Sequence, residues 1–301
     1  MGSGIVIDVQ RFALKDGPGI RTVVSLKGCP LHCPWCHNPE ARRPIPELAH
    51  LEYRCIACGV CARVCPNHAV KLEAGQPVIL RDRCVVCGNC VDACVSRALI
   101  LTGMRLSVEA VMEDVRKDAA YYRKLGGGLT VSGGEPLEQV DFLVELLRGA
   151  KAEGIETCVE TSGCASREHL ARIIPFTDLF LFDYKATGSD YRELVGVEEQ
   201  VILDNLDFLY QQGAKIILRC PLVPGINDGL AHLEAIARLS AAYPNLVAIE
   251  VLPYHNSYTS KFERYGYTNP LPNQQPASEE DCQRWQTELD RLGCRPVTVV
   301  A

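Results

Sequence analysis

Three cysteines, Cys29, Cys33 and Cys36, lie in the stretch GCPLHCPWCHNPE with the spacing C-x3-C-x2-C. Thiolates ligate soft metal centres, but three is an awkward number. A structural zinc site or an ordinary iron–sulfur cluster takes four protein ligands, and a disulfide takes two. A 4Fe–4S cluster on three thiolates has one iron without a protein ligand. An open position lets a metal centre bind substrate, as in catalytic zinc sites. The fourth ligand is then expected to be a small molecule with a chelating amine and carboxylate.

Two further runs carry their own pattern. CIACGVCARVCP begins at Cys55 and CVVCGNCVDACV at Cys84; both read C-x2-C-x2-C-x3-C, and every cysteine shifts by 29 residues. This is the two-cluster ferredoxin pattern, in which the fourth cysteine of each run serves the other cluster. Cys55, Cys58, Cys61 and Cys94 are predicted to hold one 4Fe–4S cluster, and Cys84, Cys87, Cys90 and Cys65 a second. Pro66 follows the first run as the pattern asks; Val95 replaces proline after the second, where proline turns the chain and ligates nothing. Paired zinc ribbons rarely come as two identical four-cysteine runs. Cys158, Cys164, Cys220, Cys282 and Cys294 are scattered and read as small hydrophobes.

Eleven of the sixteen cysteines fall within residues 29–94 of a 301-residue chain. A secreted disulfide scaffold is short and loop-rich, so this usage points to metal or redox chemistry in the cytosol. A formal charge of −6 argues against a nucleic-acid partner. No apolar run reaches the roughly 18–20 residues of a membrane span. The start MGSGIVIDVQ lacks the basic and apolar regions of a secretory signal.

These residues need a frame. Outside residues 49–103 the pattern alternates strands and helices. Arg21–Lys27 is a β-branched run that feeds the first cysteine loop. Val108, Val111, Val115, Ala119 and Tyr122 recur at helical spacing behind a Ser107 cap. Strands are predicted at Leu129–Ser132, Ile155–Glu160, Asp178–Asp183, Lys215–Cys220, Val247–Leu252 and Pro296–Val300. Helices are predicted near 139–153, 167–174, 198–212, 230–242 and 278–292, the last with an acidic start after Ser278. This predicts an α/β fold with a parallel sheet, six units being too few for a closed eight-unit barrel. The sequence motifs SGGEP, ETSG and DYK each follow a strand, where loops at the carboxyl ends gather chemistry.

GCPLHCPWC resembles the cluster loop of radical S-adenosylmethionine enzymes. DGPGIR, SGGEPL and VLPYH extend the resemblance over nearly the whole chain to one branch, the glycyl radical enzyme activating enzymes. The resemblance implies an incomplete (β/α)6 TIM-like barrel in residues 1–48 and 104–301, interrupted by an inserted ferredoxin-like α+β domain in 49–103. It implies three 4Fe–4S clusters, S-adenosylmethionine on the open one, and a glycyl radical on a partner protein. Trp35 takes the aromatic position beside adenine, with Asn38 near the cofactor. Gly133 and Gly134 admit close backbone approach, and Glu135 meets the methionyl amine. Glu160, Thr161, Asp183 and Lys185 lie near the methionyl carboxylate, and the first three, with the Leu181 carbonyl, suit a monovalent cation. A salt bridge between Asp183 and Lys185 is the plainer reading of that pair. Arg219 and His255 complete the cofactor set, while Asp16 and Gly17 contact the partner.

The insert is expected to relay electrons from a flavodoxin or ferredoxin, with docking or stability as its alternative role. The setting is the cytoplasm of an anaerobic bacterium, with no membrane partner. Two other functions fit less of the pattern: a radical enzyme acting on a small molecule or another peptide, and a non-catalytic electron carrier. The open three-cysteine site and GGE disfavour the carrier, which would complete its ligand sets.

Overall fold

A computed structural model describes residues 2–294 and 297–300. In chain order the strands are β1 (Ser3–Ala13), β2 (Ile20–Leu26), β3 (Glu47–His50), β4 (Val70–Glu73), β5 (Gln76–Ile79), β6 (Leu99–Thr102), β7 (Met104–Ser107), β8 (Gly127–Gly133), β9 (Glu156–Thr161), β10 (Leu179–Asp183), β11 (Ile216–Leu222), β12 (Ala248–Pro253) and β13 (Val297–Val299). The helices are α1 (Val60–Arg63), α2 (Asn89–Asp92), α3 (Val108–Arg116), α4 (Ala119–Leu125), α5 (Val140–Ala152), α6 (Arg167–Ile173), α7 (Glu199–Gln211), α8 (Leu230–Ala242), α9 (Ser260–Arg264) and α10 (Glu279–Arg291).

Nine strands form one sheet in the order β13-β12-β11-β10-β9-β8-β2-β1-β7. From β2 to β13 every pairing is parallel, and β1 runs antiparallel to β2 and β7. The expected mixed α/β chain with a large parallel sheet is present. Pro296, the first residue of the last predicted strand, lies outside the described residues.

Side-chain alternation divides the sheet. Leu129, Val131, Val159, Phe180, Phe182, Leu218 and Ile249 pack with the helices in the main core. The other face carries a small apolar layer of Cys158, Leu179, Leu181 and Ile217. Towards the strands' carboxyl ends the same face turns polar, with Glu160, Asp183, Arg219 and Glu250. A period of two therefore places apolar support beneath a charged layer.

Two expectations change. The helical pattern from Val108 to Tyr122 is two helices, α3 and α4, broken at Lys117–Asp118. Asp118 is fully buried, and its carboxylate accepts from Arg11 and from Thr22 Oγ1 at 2.8 Å. That tertiary pairing overrides the continuous helix pattern. The eleven-residue β1 was not predicted, because only its first half is apolar and the rest, facing solvent, is mixed. Ser107 caps α3 as expected, and Ser278 forms a capping box with Asp281 on α10.

Residues 47–102 build apart from the large sheet. β3 pairs with β6, β4 with β5, and Leu48, Cys90 and Leu99 centre a separate small core. A buried ion pair anchors this segment: Lys27, at the end of β2, holds Glu47 at 2.9 Å with both side chains almost fully enclosed. Tyr267 donates to the same carboxylate at 2.7 Å.

Candidate functional site

The carboxyl ends of successive parallel strands bring the predicted motifs to one edge of the sheet. The cysteine loop leaves β2 and closes on itself, with Gly28 N donating to Ala41 O at 2.7 Å and Cys29 N to Arg42 O at 3.1 Å. Arg42 donates to Cys33 O at 2.8 Å. Behind the loop, His32 N donates at 2.9 Å to Val195 O, in a π-helical turn over Tyr191–Val195. Burial pushes the Cys33 thiol up to about 11 and raises Cys29 further. Only a bound cation makes thiolates favourable in such a place.

Beside this loop the turn after β8 is held by its backbone. Gly134 N donates to Leu26 O at 2.8 Å and Glu135 N to Gly28 O at 2.7 Å. A Cβ on Gly134 would lie 2.2 Å from Gly28 O. Gly134 thus approaches the cysteine loop itself, whereas a Cβ on Gly133 would meet Leu26 of β2. Glu135 is buried and accepts from Thr161 Oγ1 at 2.8 Å and from Ser162 N and Oγ at 2.9 and 2.6 Å. Burial raises its pKa against those donors. Its carboxylate locks the turn after β8 to the turn after β9.

Asp183 and Lys185 pair at 2.6 Å through Asp183 Oδ2, the plainer reading of that couple. Burial opposes the charge on Lys185, but Asp183 and Cys33 outweigh it and raise its pKa. Asp183 Oδ1 is buried with no hydrogen-bond partner. Such an atom costs free energy unless a further cationic or donor group meets it.

Arg219 bonds Glu160 at 2.8 Å and lies 3.4 Å from Glu250. Ser132 Oγ donates to the other Glu160 oxygen at 2.5 Å. Thr161 and Glu160 therefore face different partners, one toward Glu135 and one toward Arg219. Burial raises Asp16 and Glu250, with Glu160 adding to both.

Arg219→Met is expected to cost about 3–5 kcal/mol at pH 7, because it leaves carboxylates buried without their cation. A carboxyl whose folded pKa lies above its unfolded value penalises the fold while ionised, and the penalty shrinks as pH falls through the folded pKa. The deficit should therefore narrow between pH 7 and pH 5. Denaturation midpoints of parent and variant across that range check it; a deficit that widens on acidification contradicts the assignment.

Asn38 is spanned by Gly133 O at 3.5 Å and Lys261 Nζ at 3.1 Å. Trp35 is buried in the main core beside the loop. His255 is exposed, its ring 4.2 Å from that of His37 and its Nδ1 2.9 Å from Ser257 Oγ. Asp16 and Gly17 sit half-buried in a loop pinned by the sheet's polar face. Thr130 Oγ1 donates to Asp16 O at 2.7 Å, and Arg219 Nη2 to Lys15 O at 3.3 Å. Arg21 Nη1 reaches Pro18 O at 3.4 Å.

Sequence reasoning missed Ser132, Ser162, Glu250 and Lys261. The two serines stand inside SGGEP and ETSG, and Glu250 falls in the alternation of its strand. Lys261 has no signal, since it arrives from a distant segment.

In the segment 47–102, one cavity is lined by Cys65, Cys84, Cys87 and Cys90, the other by Cys55, Cys58, Cys61 and Cys94. The 29-residue repeat reappears in the backbone. Ala57 and Val86, Gly59 and Gly88, and His68 and Arg97 form pairs with positive φ. Ala69 N donates to Cys65 Sγ at 3.1 Å, and Ala98 N to Cys94 Sγ at 3.2 Å. Among the described residues no three Cys, His, Asp or Glu side chains converge to hold one metal ion. All-sulfur sets ringing cavities suit a polynuclear iron–sulfur unit better than a single ion.

Residues 15–203 match the family model described as 4Fe-4S single cluster domain. The chain is 37% identical over 287 residues to the indoleacetate decarboxylase activating enzyme of Tractidigestivibacter scatoligenes, covering 91% of this chain and 90% of that one. It is 34% identical to the choline trimethylamine-lyase activating enzyme of Oleidesulfovibrio alaskensis, covering 98% and 97%. Its fold matches a radical SAM methyltransferase from Sphaerobacter thermophilus with a TM-score of 0.55 at 15% identity, over 99% of this chain and 77% of that one.

Proposed function

The chain belongs to the glycyl radical enzyme activating enzymes, and from that premise we propose which residues do its work. The family's reaction is reductive cleavage of S-adenosylmethionine at a 4Fe–4S cluster, whose 5′-deoxyadenosyl radical takes a hydrogen from a glycine of the partner glycyl radical enzyme. What remains for the protein is to bind, orient and shield.

We assign Cys29, Cys33 and Cys36 to the catalytic cluster. The observation that carries the reading is the clamp between Gly134 and Gly28, which sets a three-thiol loop against a polar edge holding an unsatisfied buried carboxylate oxygen. In this reading Gly133, Gly134 and Glu135 form the wall for the cofactor's methionyl amine; Glu135 acts with Thr161 and Ser162 to keep that wall rigid. Asp183 Oδ1 and Lys185 face the carboxylate end. Asp183 with Glu160, which share one face of the sheet, offers acidic ligands for a monovalent cation near the Leu181 carbonyl, while Thr161 is turned to Glu135 on the opposite face and leaves that set. Arg219 keeps the acidic layer neutral enough to persist. Trp35, Asn38 and His255 flank the adenosyl part, and Asp16 and Gly17 meet the partner's glycine loop.

We further read residues 1–48 and 104–301 as an incomplete (β/α)6 barrel and 49–103 as a ferredoxin-like insert with two clusters, one in each crossed cysteine quartet. Support comes from the paired cavities and the repeated backbone. N–H···S bonds of the kind at Cys65 and Cys94 tune cluster potentials. The insert relays electrons from an external flavodoxin or ferredoxin, and the chain works in the cytoplasm of an anaerobic bacterium. Among the described residues no helix is long and apolar enough to cross a membrane.

The test is a panel of purified partners: indoleacetate decarboxylase, isethionate sulfite-lyase, choline trimethylamine-lyase and trans-4-hydroxy-L-proline dehydratase, after the relatives' names. Each is mixed anaerobically with reduced protein and S-adenosylmethionine. A glycyl radical signal by electron paramagnetic resonance in at least one is expected. Deoxyadenosine without a radical in any of them contradicts the reading.

A further inference from the structure

One apolar patch on the surface plays no part in the chemistry above. Phe12, Leu14, Tyr121 and Leu125 are 45%, 72%, 45% and 56% exposed. The rings of Phe12 and Tyr121 meet edge to face, with centroids 5.0 Å apart. Exposed large side chains scattered singly need no explanation, but a group held together does.

This group is held at a cost. Phe12 has φ +58°, the left-handed region, which penalises a side chain with a Cβ. It sits where β1 shifts register against β2, between Gln10 and Ala13. The neighbouring Arg11 is tied to the buried Asp118 carboxylate, which also holds Thr22. Asp118 is at once the residue that breaks the helix pattern and starts α4, the helix bearing Tyr121 and Leu125. One buried anchor therefore positions both halves of the patch. Tyr121 and Arg11 meet part of the ring, yet the strained backbone keeps nearly half of it in water, which points to an external contact.

The patch continues into the loop that carries Asp16 and Gly17. Phe12 and Leu14 lead directly into it. Leu125 precedes Gly126, whose carbonyl accepts from Ile20 N at 3.0 Å. Exposed Lys15, Arg123 and Lys124 rim it, in a chain whose formal charge is −6. An apolar centre with a charged rim is the anatomy of a protein interface, and the rim charge selects an acidic counterpart.

We propose that Phe12, Leu14, Tyr121 and Leu125 form the docking face for the body of the partner glycyl radical enzyme, an apolar surface with a basic rim that receives an acid-rimmed surface of the partner beside the loop that holds its glycine. The inference rests on the function proposed above and adds where the partner binds. The aromatic pair supplies the anchor, Leu14 and Leu125 exclude water around it, and the lysines and arginine steer the approach.

Phe12→Gly removes the ring and relieves the strained φ, and Leu14→Asp places charge at a largely exposed position, so neither threatens the fold. Both are titrated with the panel member that the parent activates, and with a short synthetic peptide carrying that member's glycine loop. The expected result is an unchanged iron content, unchanged partner-free deoxyadenosine formation and unchanged maximal radical yield. The half-saturating concentration of the whole partner rises about tenfold or more, while that of the peptide, which lacks the body, does not move. An unchanged half-saturation with the whole partner overturns the docking face and leaves the function standing. An equal loss with the peptide also overturns it, since the patch would then act on the glycine loop. A parent that produces no glycyl radical with any panel member sinks the function and this inference together.

Discussion

Gly134→Ala is expected to lower S-adenosylmethionine cleavage about 100-fold while the protein stays folded and the cysteines of the insert keep their iron. The added methyl group would stand 2.2 Å from Gly28 O and 3.1 Å from Ala41 O, both backbone atoms. Neither can rotate away as a side-chain end would. Gly28 O is also the acceptor for Glu135 N, and Gly28 N donates to Ala41 O, so the oxygen is fixed from both sides. The turn after β8 and the cysteine loop must therefore separate by about 1 Å, a displacement that costs about 100-fold in a positioned reaction. Gly133→Ala adds a second penalty, because Gly133 has φ +111°, and is expected to be at least as damaging. Deoxyadenosine formation per mole of intact protein measures both. Near-parent cleavage by Gly134→Ala would mean that the clamp does not set the active geometry.

Much of this arrangement was legible in the residues. Strand and helix positions from β8 to α10, the short α9 excepted, followed from apolar runs and helical spacing, because these elements pack into a single large core. The crossed cysteine quartets followed from a repeat, and the same 29-residue shift appears in the backbone at Ala57 and Val86. What was illegible depends on partners distant in sequence. The break between α3 and α4 is set by Arg11 and Thr22 meeting Asp118, and no local pattern reports that. The engagement of Glu135 by Ser162, and of Asn38 by Lys261, likewise needs the fold to bring turns together. Motif positions identify which strand end a residue occupies; they do not say which neighbour its side chain chooses.

The attachment of the segment 47–102 also bears on the proposed electron path. Lys27 leads directly into Gly28 and Cys29, and its ammonium is buried against Glu47 at the root of the insert. Thr102, at the other end of the insert, lies 2.6 Å from Tyr265, whose neighbour Tyr267 bonds Glu47. Lys261, on α9 in the same segment, reaches Glu40 and Asn38 in the cysteine loop. A buried charged contact of this kind is costly to break from one side. It ties the segment 47–102, the cysteine loop and the C-terminal segment into one set of contacts, which the proposed relay requires.

The second large effect concerns the three thiols. Alanine at Cys29, Cys33 and Cys36 together removes every protein ligand proposed for the open site and leaves both cysteine quartets of the segment 47–102 intact. The measurement is anaerobic: reconstitute parent and triple variant with iron and sulfide, add a strong reductant and S-adenosylmethionine, and quantify 5′-deoxyadenosine alongside iron. The expected result is cleavage by the parent, none by the variant, and loss of about a third of the iron, the share of one of three four-iron clusters. Deoxyadenosine from the triple variant, or none from a fully loaded parent with the cofactor bound, would contradict it.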